Sequence, residues 1–176
     1  MKRIARKLGS TDGTEILEAA LVLPLVFMIL LGIIWFGRAF NIYSTITQAA
    51  QQGAITAARS SCVTCGNNNS SDTLVDNAIV AVMQASSLDP KQINSSAAPG
   101  LLPCPPPAPP SGGCTQHKNI WVCRTVQLNP TVGASEPLQC GSAVSFQYPF
   151  QFYLPFTSLN MQKIVLSAQA QSRMEN

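Results

Sequence analysis

From Ala19 to Phe36 the chain carries eighteen consecutive residues without an ionised side chain. As a helix rising roughly 1.5 Å per residue, this run spans about 27 Å, enough to cross the core of a bilayer. Beyond it the pattern becomes amphipathic. Ala39, Ile42, Ile46, Ala49, Gly53 and Ala57 recur at spacings of three and four, with Asn41, Thr45, Gln48 and Gln52 at other positions, which predicts one helical spine from Leu17 to about Ser60. Pro24 lies inside the apolar run. A proline there removes a helix hydrogen bond and crowds the preceding turn, so a kink or local melting is expected.

A second helix is predicted over Asp72–Ser87. Ser71 can cap it, Asp72 and Asp76 suit its positive end, and Leu74, Val75, Ala78, Ile79, Val82 and Met83 form one face. Asp89-Pro90 ends it. Residues 95–113, with seven prolines from Pro99 to Pro110 followed by Ser111-Gly112-Gly113, read as a linker that pairs poorly into a sheet. Three period-two segments come next. Ile120, Val122, Val126 and Leu128 alternate with polar or mixed positions, with Arg124 interrupting the apolar face. Val144, Phe146, Tyr148, Phe150 and Phe152 form a second alternation, and Ile164, Leu166, Ala168 and Ala170 a third. Such segments predict a small antiparallel sheet packed on the amphipathic half of the spine. The soluble part suffices for one small core.

Charge adds topology. Before Gly13 the chain carries Lys2, Arg3, Arg6 and Lys7 against a single acid, Asp12; the remainder carries seven bases and seven acids. The net charge of +3 therefore resides in the first thirteen residues. It keeps that end cytoplasmic and exports the residues after Phe36. It gives no reason to expect a nucleic-acid partner. A conventional signal peptide has a shorter apolar region and a small-x-small cleavage site, whereas this run leaves through Gly37-Arg38-Ala39-Phe40.

Glu18 stands at the mouth of the run, five residues after Gly13. A carboxylate close to hydrocarbon is costly, so it calls for a partner or for a place in the headgroup layer near the helix N-terminus. The basic leader, Gly13, Glu18 as fifth residue of a chain starting at Thr14, Leu21-Val22-Leu23-Pro24-Leu25, and Gly32-Ile33-Ile34-Trp35-Phe36-Gly37-Arg38-Ala39-Phe40 together resemble the TadE-like pseudopilins of the Tad (tight adherence, Flp, type IVc) pilus system. Ala49-Ala50-Gln51-Gln52-Gly53-Ala54 resembles a further segment of that family, with Gln52 and Trp35 where acids are usual. The resemblance covers residues 9–60, is weaker over the last thirty and is negligible between.

The resemblance implies a cut by prepilin peptidase between Gly13 and Thr14, and a Glu18 that neutralises the new terminal amine of its own or a neighbouring subunit. An uncompensated carboxylate in that setting would take up a proton, whereas a paired one stays ionised. The implied partners are other pilins and pseudopilins (TadF-like, TadG-like and the Flp major pilin), prepilin peptidase, the inner-membrane platform and the lipid bilayer. The implied location is the bacterial inner membrane, crossed once, with the N-terminus cytoplasmic and the head periplasmic or incorporated in an extracellular pilus.

Cys62, Cys65, Cys104, Cys114, Cys123 and Cys140 all lie after the apolar run. In an oxidising compartment an even count points to disulfides. Fifteen connectivities are open on the order of six cysteines; Cys104–Cys114 is expected because it would hold the proline-rich loop, and Cys62–Cys65 is a plausible local bridge. Cys62-x2-Cys65 with Cys114-x2-His117 also fits zinc-ligand spacing, and Cys62-x2-Cys65 a redox pair, though an exported thiol set oxidises and no thioredoxin-like pattern surrounds it. His117 reads as a surface loop residue, and the acids of the head are scattered. No catalytic site, metal or cofactor is expected.

The expected fold class is α+β and pilin-like: a long N-terminal transmembrane and amphipathic helix, a second helix, and a small antiparallel β-sheet head with disulfides. The expected divisions are a leader over 1–13, a membrane span over 14–37, the amphipathic continuation over 38–60 and an exported head over 61–176. The expected function is that of a minor pseudopilin in a priming or tip complex. The rivals are an uncleaved single-pass protein whose disulfide-rich head is an adhesin or ligand-binding module, and an exported thiol oxidoreductase using Cys62 and Cys65.

Overall fold

A computed structural model describes residues 12–59, 70–104, 113–129, 137–151 and 163–173. Helix α1 (Asp12–Ala58) runs through Pro24 without a break, so local melting does not occur there. Packing divides the chain into two units, Met1–Phe40 and Asn41–Asn176. In the first, most apolar side chains of α1 are exposed, Ile16 by 72% and Phe36 by 75%, and Leu31 and Trp35 are half-buried.

The second unit comprises α1 from Asn41 onward, helix α2 (Asp72–Ala85), a 3-10 turn (Pro90–Gln92) and four strands. The strands are β1 (Cys114–His117), β2 (Ile120–Gln127), β3 (Cys140–Gln151) and β4 (Lys163–Arg173). They form an antiparallel sheet in chain order, β1-β2-β3-β4. The fold class is α+β, as expected. One face of the sheet packs on the helices: Val122, Val144, Phe146, Ala168 and Ala170 meet Ile46, Ala49, Ala50, Ala54 and Ala57 of α1 and Val75, Ile79 and Met83 of α2. The small residues of the α1 stripe permit this approach. A Cβ added at Gly53 would lie 2.8 Å from Cγ1 and Cδ1 of Ile79.

The buried stripe of α2 is Val75, Asp76, Ile79 and Met83, and Leu74 faces solvent, 52% exposed. Val75, Ile79 and Met83 of the expected face are buried, with Ala78 and Val82 partly so; Leu74 drops out of that face, and Asp76 is buried beside it, paired with the exposed Lys118. Ser71 is the N-cap by position, but its hydroxyl bonds the Thr73 hydroxyl (2.8 Å) instead of capping a backbone N–H.

Strand β1 was not among the expected elements. It is joined to β2 by Lys118-Asn119, both at positive φ (46° and 69°), the conformation of a two-residue type I′ turn. A second departure lies within β2. The register shifts between Cys123 and Val126, and Thr125 adopts φ 56°, a bulge that places one extra residue in the strand. Ile120 and Val122 therefore face the helices, while Val126 joins Cys123 and Ala143 in a second cluster with Leu101 and Leu128. The expected common face of Val122 and Val126 does not exist.

The segment 94–104 forms a strap across the other face of the sheet. It starts beside β3, where Asn94 and Gln147 exchange backbone hydrogen bonds, and ends beside β2, where Gln127 N–H donates to the Leu102 carbonyl and Cys104 N–H to the Thr125 carbonyl. Between them the Trp121 indole N–H donates to the Ser96 carbonyl (2.9 Å), and the Ser96 and Ser145 hydroxyls bond (3.0 Å). The expected linker over 95–113 is thus packed and paired through Cys104. Pro103 fits because its neighbours supply the donors and acceptors. Residues 105–112 lie outside the described set.

Candidate functional site

Two parts of the chain bear on function: the apolar half of α1 and the disulfide-bridged head. The helical segment Glu15–Ala58 is, among the described residues, the one helix long and apolar enough to cross a membrane. Its apolar window is not buried within the protein at all. A helix apolar on every side must find apolar surroundings elsewhere. The expected processing residues Gly13 and Thr14 fall in the first turn of α1, and Glu18 is exposed one turn beyond Thr14. Trp35 and Arg38 also lie together, with the guanidinium 5.7 Å from the indole centroid.

In the head, Cys104 is bonded to Cys140 and Cys114 to Cys123. The expected Cys104–Cys114 pairing is therefore wrong. The hairpin register sets Cys114 opposite Cys123, and the strap delivers Cys104 to the edge of β2 near Gln127, the register partner of Cys140. Engagement of Cys114 in a disulfide removes it from the zinc set with His117. Cys62 and Cys65 lie outside the described residues. Among the described residues no cluster of three His, Cys, Asp or Glu side chains could hold a metal.

The polar groups of the head are tied across elements. Arg124 is 8% exposed and reaches from β2 to the start of α2, where it donates to the Asp72 carboxylate and, at 2.7 Å, to the Ser70 carbonyl. Thr115 donates to the same carboxylate (3.0 Å), and the Ser70 hydroxyl donates to the Thr56 carbonyl of α1 (2.7 Å). Burial opposes ionisation of Asp72, but the hydrogen bonds from Arg124 and Thr115, with the nearby positive charge, outweigh it and hold its pKa below the ordinary carboxylate value. Lys118 pairs with Asp76 at 2.7 Å. Burial pushes the Tyr148 phenol up. These links join β1, β2, α2 and α1, and the arrangement is that of a clamp. Arg124, read from the sequence as an interruption of an apolar face, is the centre of it; the acids at the start of α2 were the available signal.

Comparison with known families bears on the first part. Residues 13–54 match the family model for TadE-like protein. The resemblance read over residues 9–60 is borne out over that TadE-like segment, which begins at Gly13 and includes Glu18, Pro24 and the whole apolar run. The match suggests a Tad-pilus-associated protein, structural in kind, that interacts with other components of that system. A long apolar N-terminal helix fits a single-pass membrane protein there. No curated protein and no solved structure matches the chain.

Proposed function

We propose that this chain is a minor pseudopilin of a Tad pilus or secretion apparatus, processed by prepilin peptidase and recruited through its helical spine into a priming or tip complex. The observation that carries the reading is the placement of Gly13 and Glu18 at the head of an exposed, membrane-length helix inside the TadE-like segment. In this reading residues 1–13 are the leader, 14–37 the membrane span and 38–60 its continuation. The N-terminus is cytoplasmic, because the leader holds the basic excess, and the head is periplasmic or carried into the pilus. The disulfides accord with an oxidising compartment.

Assembly proceeds by packing of apolar spine on apolar spine. Glu18 sets the axial register by pairing with the terminal amine of Thr14 in its own or a neighbouring subunit, since a buried carboxylate without a partner is far costlier than a paired one. TadF-like and TadG-like proteins, the Flp major pilin and the inner-membrane platform are the partners this reading names. Pro24 serves as a point at which the helix can bend on leaving the bilayer.

Intact-mass analysis of the membrane-extracted protein tests the reading. A mature N-terminus at Thr14 is expected. An intact Met1 leader in cells with active prepilin peptidase would overturn it in favour of an uncleaved single-pass protein. Glu18→Ala is expected to insert into the membrane normally and to be depleted from the assembled complex; undiminished incorporation would refute the pairing role.

A further inference from the structure

We propose that the open edge of β4 is a docking site for an added β-strand from another protein, one that carries acidic side chains at both ends of the paired stretch. The inference goes beyond the pseudopilin reading and is independent of processing at Gly13.

The direction of the backbone groups is set by the ladder. Gln147 N–H donates to the Asn94 carbonyl (2.9 Å) and Asn94 N–H to the Gln147 carbonyl (2.8 Å). Both backbone groups of Gln147 therefore point away from β4. Its register partner on β4 is Ser167, so this is the non-hydrogen-bonded kind of antiparallel pair. The N–H and C=O of Ser167 then point outward, away from β3. With alternation every two residues, so do those of Val165, Gln169 and Gln171. Among the described residues no backbone bond outside the sheet satisfies them. The intervening residues Leu166, Ala168 and Ala170 bond to β3 and pack toward the core.

An edge of this kind is a template for strand addition unless it is short, bulged or interrupted by proline. The opposite edge of the sheet, β1, is four residues long and disulfide-bonded. By contrast, β4 is eleven residues long with an unshifted register throughout. Ile164 and Val165, 44% and 48% exposed, leave apolar area at its start.

Charge selects the occupant. The strand begins at Lys163, ends at Arg173 and contains no acid. A second copy paired antiparallel over the full strand would set Lys163 against Arg173 of the other copy twice, and like charges directly opposite destabilise a sheet pair. A strand from a different protein with Asp or Glu at each end turns both contacts favourable.

The test uses the full chain in detergent micelles and a synthetic peptide as long as β4, alternating Thr and Val with Glu at each end. A second peptide with Lys at each end is the control. With saturating Glu-ended peptide, amide hydrogen exchange at Val165, Ser167, Gln169 and Gln171 is expected to slow about tenfold or more, while Leu166, Ala168 and Ala170 are unchanged. At low salt the Lys-ended peptide is expected to bind several-fold more weakly, and Lys163→Glu with Arg173→Glu to reverse the preference. Ser167→Pro, which removes an outward N–H and no bond to β3, is expected to abolish binding with the β3 amides still protected. Equal binding of both peptides, no slowing at the outward amides, or full protection of those amides in the free chain would each overturn the proposal.

Discussion

Replacement of Asp72 by Asn tests the clamp between β2 and α2. The change keeps the side-chain volume and removes the charge that faces Arg124. The guanidinium side chain is 10% exposed and would keep the Ser70 carbonyl as its partner, while Asp72 itself is 28% exposed. Loss of a hydrogen bond to a charged group costs roughly 1.5–3 kcal/mol, and removal of one member of a fully buried ion pair roughly 3–5 kcal/mol. The partial exposure of Asp72 places the expected loss at about 2–3 kcal/mol. For a unit of this size each kcal/mol lowers Tm by about 3–4 °C, so a fall of roughly 6–12 °C is expected at neutral pH. The acid limb supplies a second readout. The folded-state pKa of Asp72 is lowered, so its stabilisation is fully present above the ordinary Asp value of about 3.9 and is lost as pH falls through the folded value. The gap in Tm between the native chain and Asp72→Asn should therefore narrow below pH of about 4. Thermal melts of the detergent-solubilised chain, followed by near-ultraviolet circular dichroism across pH, make the measurement. A fall below about 2 °C at neutral pH, or a gap that stays constant into acid, would refute the reasoning. Asp72→Asn with Arg124→Met should lose less than the sum of the single changes, because no buried charge is then left alone.

Three further outcomes are expected. Cys104 and Cys140 are 36 residues apart and Cys114 and Cys123 are 9 apart, so loop-closure entropy assigns them about 4 and about 2.5 kcal/mol; paired Cys→Ser replacements should lower Tm more for the first bridge, and an inverted order by calorimetry would contradict the entropic account. Gly53→Leu should destabilise the head by about 1–3 kcal/mol in urea unfolding, since its Cβ meets Ile79 at 2.8 Å, whereas Gly53→Ala should change stability by about 1 kcal/mol or less as helix propensity offsets the crowding. Trp121→Phe should cost about 1 kcal/mol by leaving the Ser96 carbonyl without its donor, read from the same unfolding curves; an unchanged midpoint would show that the strap is held by its paired ends alone.

Much of the architecture was legible because it rests on period. The three- and four-residue spacing from Ile42 to Ala57 marks the buried stripe of α1, and the alternations at Val144–Phe150 and Ile164–Ala170 mark β3 and β4 with their faces correctly assigned. The TadE-like segment was legible for the same reason, as a motif of closely spaced residues. The illegible features depend on contacts distant in sequence or on single backbone angles. Thr125 at positive φ moves Val126 to the opposite face, and no side-chain pattern announces it. Lys118-Asn119 lacks the glycine that usually marks a two-residue hairpin turn, which hid β1 and with it the Cys114–Cys123 pairing. Pro99 and Pro103 suggested an unpaired linker, yet a segment can cross a sheet face using only its neighbours' backbone groups. Arg124 looked like a defect because its partner Asp72 is 52 residues away.

Ile46, Ala49, Ala50, Ala54 and Ala57 belong to α1, yet they are wholly or almost wholly enclosed by α2 and the sheet. The main core of the head consequently does not survive a cut after Ala58; the small cluster of Cys123, Val126 and Ala143 alone is independent of α1. A protease acting near that boundary would release a fragment lacking one wall of its core, and a recombinant head must retain α1 from about Ile42 onward to fold. During synthesis the same dependence makes α1 wait for strands made long after it, so the residues of the core that are made first are the last to find their neighbours.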